Sequence, residues 1–176
     1  MINRRTEALH PSAAGLQDAA LSDVLARLHM AQLAAAESVR PAFPDLERAA
    51  RAAAGALRAG HRMAYVGAGS SGLMALADCL ELAGTFGIPP DRTPMLFAGG
   101  TAALLHMTGA VEDDPALALA DLAALAPQRG DVLLCLSASG ATPYTLTIAK
   151  AAQAQGATIV GIANVAGSAL LGLADI

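Results

Sequence analysis

The sequence has few cysteines, no basic cluster and no apolar run long enough to span a membrane, and each lack removes a class of protein. Cys79 and Cys135 are the two cysteines of the chain. They are too few for a disulfide framework, lack the spacing of a metal site, and read as buried thiols of a reducing compartment. The formal net charge is −4, with no local concentration of Lys or Arg, which argues against nucleic acid or an anionic membrane surface as the main partner. A small anion remains compatible, because a local cradle can act against the global sign. The opening residues Met1-Ile2-Asn3-Arg4-Arg5 are basic but no apolar stretch follows them, so they do not read as a secretory leader. These absences predict a soluble, cytoplasmic protein, and 176 residues correspond to about one domain.

Apolar residues make up 55% of the chain, much of it alanine, so core stability should rest on Leu, Val, Ile and Met at strand and helix faces. Met63, Met74, Met95 and Met107 lie in apolar stretches and read as core filler. Residues 1 to about 20 show no period and read as an irregular arm. Ser22 is a candidate cap for a helix running toward Val39. After Pro41 and Pro44, a second helix spans about Asp45 to Arg58, with Leu46, Ala50, Ala53 and Leu57 on one face and Gly60 ending it. From residue 62 strands and helices alternate. Strands are expected at 62–66, 94–97, 131–136 and 158–162, with helices at about 71–83, from about 101, and at 142–155. A short helical stretch surrounds Leu170, and Ala174-Asp175-Ile176 looks like the opening of another strand. Continuous apolar strands separated by helices indicate an α/β fold, a three-layer α/β/α sandwich with a parallel sheet. Ligands in such folds bind beyond the carboxyl ends of the strands.

Two loops at such ends carry chemistry. The first, Gly67-Ala68-Gly69-Ser70-Ser71-Gly72, joins a strand to a helix; unpaired N–H groups and the positive end of the helix dipole make it an anion cradle. Its spelling matches the dinucleotide fingerprint, but that fold needs an acidic residue at the end of the second strand. Phe97-Ala98-Gly99-Gly100 stands there instead, and Asp91 precedes the strand. The second loop, Ser137-Ala138-Ser139-Gly140-Ala141-Thr142, adds three hydroxyls, a glycine and another helix start. Hydroxyls plus helix-terminal N–H groups suit a phosphate monoester, although Thr142 alone is also an ordinary helix cap. Two carboxylates stand out less. Glu81 lies near a helix C-terminus, where a negative charge is mildly unfavourable. Glu112, followed by Asp113 and Asp114, fits a solvated acidic turn or the cap of a helix at Pro115. His61 and His106 read as packed or surface residues, without metal partners at useful spacing.

The pairing of G-x-G-[ST]-S-G with a later S-x-S-G-x-T after an apolar strand resembles the sugar isomerase (SIS) domain family, which has a flavodoxin-like fold. Within it the chain is most similar to the N-acetylmuramic acid 6-phosphate etherases. The likeness runs through Thr6-Glu7, Phe43-Pro44-Asp45, Tyr65 to Gly69, Thr85-Phe86-Gly87, Ala98-Gly99-Gly100, Glu112-Asp113 and Ser137 to Tyr144. The resemblance implies an N-terminal arm with helices over 1–60 and a SIS domain over 61–176, incomplete at its C-terminal end because the family's chain continues further. It implies a phosphorylated amino sugar held by Ser71, Ser137, Ser139 and Thr142, with Ser70 nearby and Gly67, Gly69, Gly72 and Gly140 shaping the loops. Glu112 would be the base that removes a proton beside the sugar's aldehyde, and Glu81 the acid that protonates departing D-lactate and later activates water. No metal or redox cofactor is needed, and a homodimer in cytoplasmic amino-sugar catabolism and peptidoglycan recycling is implied. Leu73 and Ala141 stand where the etherases have arginines, Leu82-Ala83-Gly84 where they have Cys-Pro-Pro, and Gly109 where they have a further glutamate. Two other readings accompany the lyase: a non-catalytic sugar-phosphate regulator, and an aldose–ketose phosphosugar isomerase.

Overall fold

A computed structural model describes residues 6, 8–107 and 109–176. Helices α1 (Leu21–Glu37) and α2 (Phe43–Arg58) precede an alternating series. Its members are β1 (Met63–Gly67), α3 (Gly69–Phe86), β2 (Met95–Phe97), α4 (Gly100–Leu105), α5 (Pro115–Leu125), β3 (Val132–Leu136), α6 (Pro143–Ala154), β4 (Thr158–Ile162) and α7 (Ala169–Leu173). The four strands form one sheet in the order β2-β1-β3-β4, and every pairing is parallel. The expected α/β/α sandwich is therefore present.

Side-chain alternation along the strands builds two cores. On one face Ala64, Val66, Leu133, Cys135 and Ile159 pack with Ala118, Leu122, Tyr144, Ile148 and Leu170, so α5, α6 and α7 cover it. On the other face Met63 and Tyr65 pack with Ala53, Ala75 and Cys79, while Val132 and Val160 meet Ala56; α2 and α3 cover this side. Each face is pinned by a tyrosine: Tyr144 donates to Asp121 at 2.6 Å, and Tyr65 donates to Asp78. Burial and the adjacent carboxylate both raise the two phenol pKa values. The two thiols are buried and free as expected; burial pushes Cys135 up to about 12, which keeps it protonated and inert.

Several local expectations change. Helix α1 is capped by Ala20, not Ser22, which lies inside it. Helix α2 begins at Phe43, and its inward face is Ala49, Ala52, Ala53, Ala56 and Leu57. Leu46 and Ala50 are exposed, because the heptad-like spacing of the larger residues does not coincide with the arc that meets the sheet. Met63 is buried, but Met74 and Met107 are exposed. The stretch 8–20 contains two short 3-10 turns, Pro11–Ala13 and Leu16–Asp18. At the other end, Ile176 donates to the Ile159 carbonyl and accepts from the Gly161 N–H, the pattern of a parallel neighbour beginning beside β4. Asp175 takes the Ile159 N–H on its carboxylate at 2.8 Å.

Candidate phosphate site at the carboxyl ends of two strands

The chain passes from β1 to β2 on one side and then crosses β1 to reach β3 on the other, so the topological switch point lies between β1 and β3. Loops leaving two such strands diverge to opposite faces and open a crevice. Both hydroxyl-rich loops predicted from the sequence leave these two strands.

Close packing dictates the glycines of the first loop. A Cβ on Gly67 would stand 2.8 Å from the Gly72 Cα, and one on Gly72 would stand 2.7 Å from the Phe97 ring. Helix α3 therefore starts directly against β1 and β2, which aims its first turn into the crevice. No side chain caps α3, and the N–H groups of Gly69, Ser70 and Ser71 find no acceptor among the described residues. Three donors at the positive end of an 18-residue helix remain for a ligand.

The second loop is more tightly knit. Ser137 Oγ is 2.8 Å from Thr142 Oγ1 and 3.5 Å from Ser139 Oγ. Ser139 Oγ accepts the Ala141 N–H at 3.2 Å. Thr142 is the residue before α6 yet makes no capping bond; its hydroxyl faces Ser137 instead. That orientation removes the ordinary-cap explanation for Thr142. The two loops also touch, since Ser71 Oγ accepts the Ala138 N–H at 3.2 Å. Ser71, Ser137, Ser139 and Thr142 thus belong to one cluster, and Ser70 is exposed beside it.

Glu112 joins this cluster. It sits in a 3-10 turn, Gly109–Asp113, and its Oε2 lies 3.5 Å from where a Cβ on Gly69 would stand. The solvated-turn reading fits Asp113, which is exposed. Asp114 is the helix cap, accepting the Ala116 and Leu117 N–H groups. Glu81 is not brought in. It is exposed on the far half of α3 and accepts a hydrogen bond from Thr85. His61 packs over Gly130 and His106 is exposed, so neither enters the cluster.

A profile of the SIS domain family matches residues 29–164. The chain belongs to the SIS domain family. It is 42% identical over 172 residues to an N-acetylmuramic acid 6-phosphate etherase of Deinococcus radiodurans, across 98% of this chain and 56% of that protein. A protein of the same name from Salmonella typhi is 36% identical over 157 residues, 89% of this chain and 53% of its own length. This SIS domain thus spans about half the length of the curated relatives it matches. Among solved structures, a phosphoheptose isomerase from Francisella tularensis superposes with a TM-score of 0.68 at 22% identity, over 88% of this chain and 81% of that one. The Vibrio vulnificus NanR protein complexed with ManNAc-6P gives 0.57 at 16%, over 93% and 52%. Both show the shared fold.

Of the positions that carry the resemblance, Glu7 lies outside the described residues. Leu73 and Ala141 are exposed beside the two loops. The linear reading missed the support behind the second loop. Gly140 has φ +64, and a Cβ there would collide with Ser168, whose buried hydroxyl has no hydrogen-bond partner among the described residues. The Leu170 N–H donates to the Gly140 carbonyl and the Asn164 N–H to the Ala138 carbonyl. Contacts between segments some 30 residues apart left no periodic or motif signal in the sequence.

Proposed function

We propose that this SIS domain binds a phosphorylated amino sugar at the joined loops and acts as an etherase-like lyase on N-acetylmuramic acid 6-phosphate, yielding N-acetylglucosamine 6-phosphate and D-lactate. The observation that carries the reading is the single cluster of Ser71, Ser137, Ser139 and Thr142 between two helix starts, with the Glu112 carboxylate over Gly69. The 42% identity to an etherase-named protein supports this choice of sugar. The phosphate would sit on the hydroxyls and free N–H groups, which supply the attraction without a cation. Glu112 would remove the proton on the carbon beside the open-chain aldehyde. The lactyl oxygen then leaves the next carbon with a proton from Glu81, and water adds back across the double bond. Each general acid or base is worth roughly 10² to 10⁴ in rate. The site would be shared with a second copy of the chain.

Incubation with N-acetylmuramic acid 6-phosphate should release lactate, measured enzymatically, and Glu112→Gln should lower the rate by at least about 10²-fold. A folded chain that binds the sugar phosphate without releasing lactate sinks the lyase. That outcome would favour the regulator reading, which the exposed Leu73 and Ala141 at the arginine positions support.

A further inference from the structure

Among the described residues, Ser168 Oγ is the buried side-chain oxygen without a hydrogen-bond partner. It stands where a partner is normally at hand. Ser168 directly precedes α7 with extended backbone, the position at which a serine hydroxyl accepts an N–H of the helix's first turn and contributes about 1 kcal/mol. No side chain caps α7. The Leu170 N–H that such a cap would take goes instead to the Gly140 carbonyl, at 2.9 Å. The hydroxyl turns to the same glycine: Ser168 Oγ and Cβ fill the space in which a side chain at 140 would stand, and the Ala163 Cβ is 3.1 Å from that point. A buried hydroxyl left unpaired costs about 1–3 kcal/mol, so this arrangement serves the loop at the expense of α7.

The loop needs such support. Gly140 has a φ of +64, a conformation open to glycine but held by nothing in the glycine itself. On either side of it, the Gly140 N–H donates to the Ser137 carbonyl at 2.9 Å, and the Ala141 N–H donates to Ser139 Oγ at 3.2 Å. These bonds gather the loop hydroxyls, and they keep their geometry only while Gly140 keeps its own. Behind Ser168 the base is well anchored. Leu170 is fully buried, Gln153 of α6 donates to the Leu173 carbonyl at 3.0 Å, and Gly161 of β4 lies against Leu170 and Ala174.

We infer that Ser168 is a positioning residue of the phosphate site: its side chain backs Gly140, so that Ser137, Ser139 and Thr142 stay gathered for the ligand. Ser168 acts through the loop and does not touch the phosphate. The use of the held loop rests on the phosphosugar reading; the contact with Gly140 does not.

Ser168→Ala separates positioning from a merely structural role, because stability and affinity should part. Without the unpaired hydroxyl the unfolding temperature should stay at or above the parental value. Affinity for N-acetylglucosamine 6-phosphate, measured by calorimetry, should fall about tenfold, as small displacements of binding groups cause. An unchanged affinity overturns the proposal, and so does an affinity loss matched by a loss of stability. A second pair of variants tests the contact itself. Gly140→Ala should weaken binding through the collision with Ser168 and the left-handed φ, and adding Ser168→Gly should recover part of the loss. A double variant no better than Gly140→Ala overturns the contact. If the parent does not bind the sugar phosphate, the phosphosugar reading fails alone, and amide hydrogen exchange decides the positioning. Ser168→Ala should then speed exchange at Gly140 and Ala141 while leaving Leu133 and Cys135 unchanged. Parental exchange at Gly140 and Ala141 overturns it.

Discussion

At Gly72 the sequence has no freedom to change. The hypothetical Cβ would press on the Phe97 ring and on the Gly67 backbone, and overpacking of this kind costs about 1–3 kcal/mol. Gly72→Ala should lower the urea midpoint accordingly, and adding Phe97→Leu should recover part of the loss. Asp131 is a second such residue. Burial alone would raise its pKa, but hydrogen bonds from the Arg62 side chain and from the Gln128 and Arg62 N–H groups outweigh that and hold it below the usual carboxylate range. The Arg62–Asp131 pair is 2.7 Å long, with the carboxylate side chain 4% exposed. Asp131→Asn leaves Arg62 half-buried without its partner and should cost about 3 kcal/mol at pH 7. A lowered folded pKa means the ionic contribution is fully present above the unfolded value near about 4 and disappears as pH falls through the folded one. Urea midpoints of parent and variant should therefore converge in acid; a gap that persists once Asp131 is protonated in both the folded and the unfolded chain would show that packing, not charge, is the cause.

Elements decide how the residues meet. Strands β1 and β3 are neighbours although the register partners Gly67 and Leu136 lie 69 positions apart in the chain, and only that adjacency lets Ser71 accept from Ala138. Helix α6 is anchored to α5 through Tyr144 and Asp121, so the second loop inherits its position from a partly buried hydrogen bond between these two helices. Tyr144→Phe leaves Asp121 without its donor and should cost about 1 kcal/mol of stability. It should also weaken phosphate binding slightly through the displaced start of α6. Calorimetry with glucose 6-phosphate separates the two effects, because a purely local loss changes the unfolding midpoint but not the affinity. Helix α1 contrasts with these: none of its residues is buried, and Leu21, Leu25, Leu28 and Leu33 are exposed on it. An apolar helix in that state calls for another surface.

For the whole molecule, a ligand that binds only the folded state stabilises it by mass action, by about 2.7 kcal/mol at a hundred times its dissociation constant. A hexose 6-phosphate should therefore raise the unfolding temperature of the parent. Ser139→Ala removes one hydroxyl partner of a charged group and should weaken affinity by roughly tenfold, reducing the shift at fixed ligand concentration. An equal shift in parent and variant would place the phosphate elsewhere. Among the described residues no helix is long and apolar enough to cross a membrane.

The sequence by itself determined the parallel α/β order, both hydroxyl-rich loops and their helix starts, because strand period, glycine placement and Ser/Thr spacing are local properties. It also carried the resemblance that the family match supports. Tertiary structure alone decided that the two loops form one cluster, that Thr142 turns to Ser137 rather than capping α6, and that Glu112 rather than Asp113 or Asp114 faces Gly69. Those outcomes depend on which strands become neighbours and on side-chain directions across the crevice. The separation of Glu81 from Glu112 was legible only once Gly69 to Phe86 proved to be one unbroken helix: a rigid rod sets distance by its length, whatever residues lie along it.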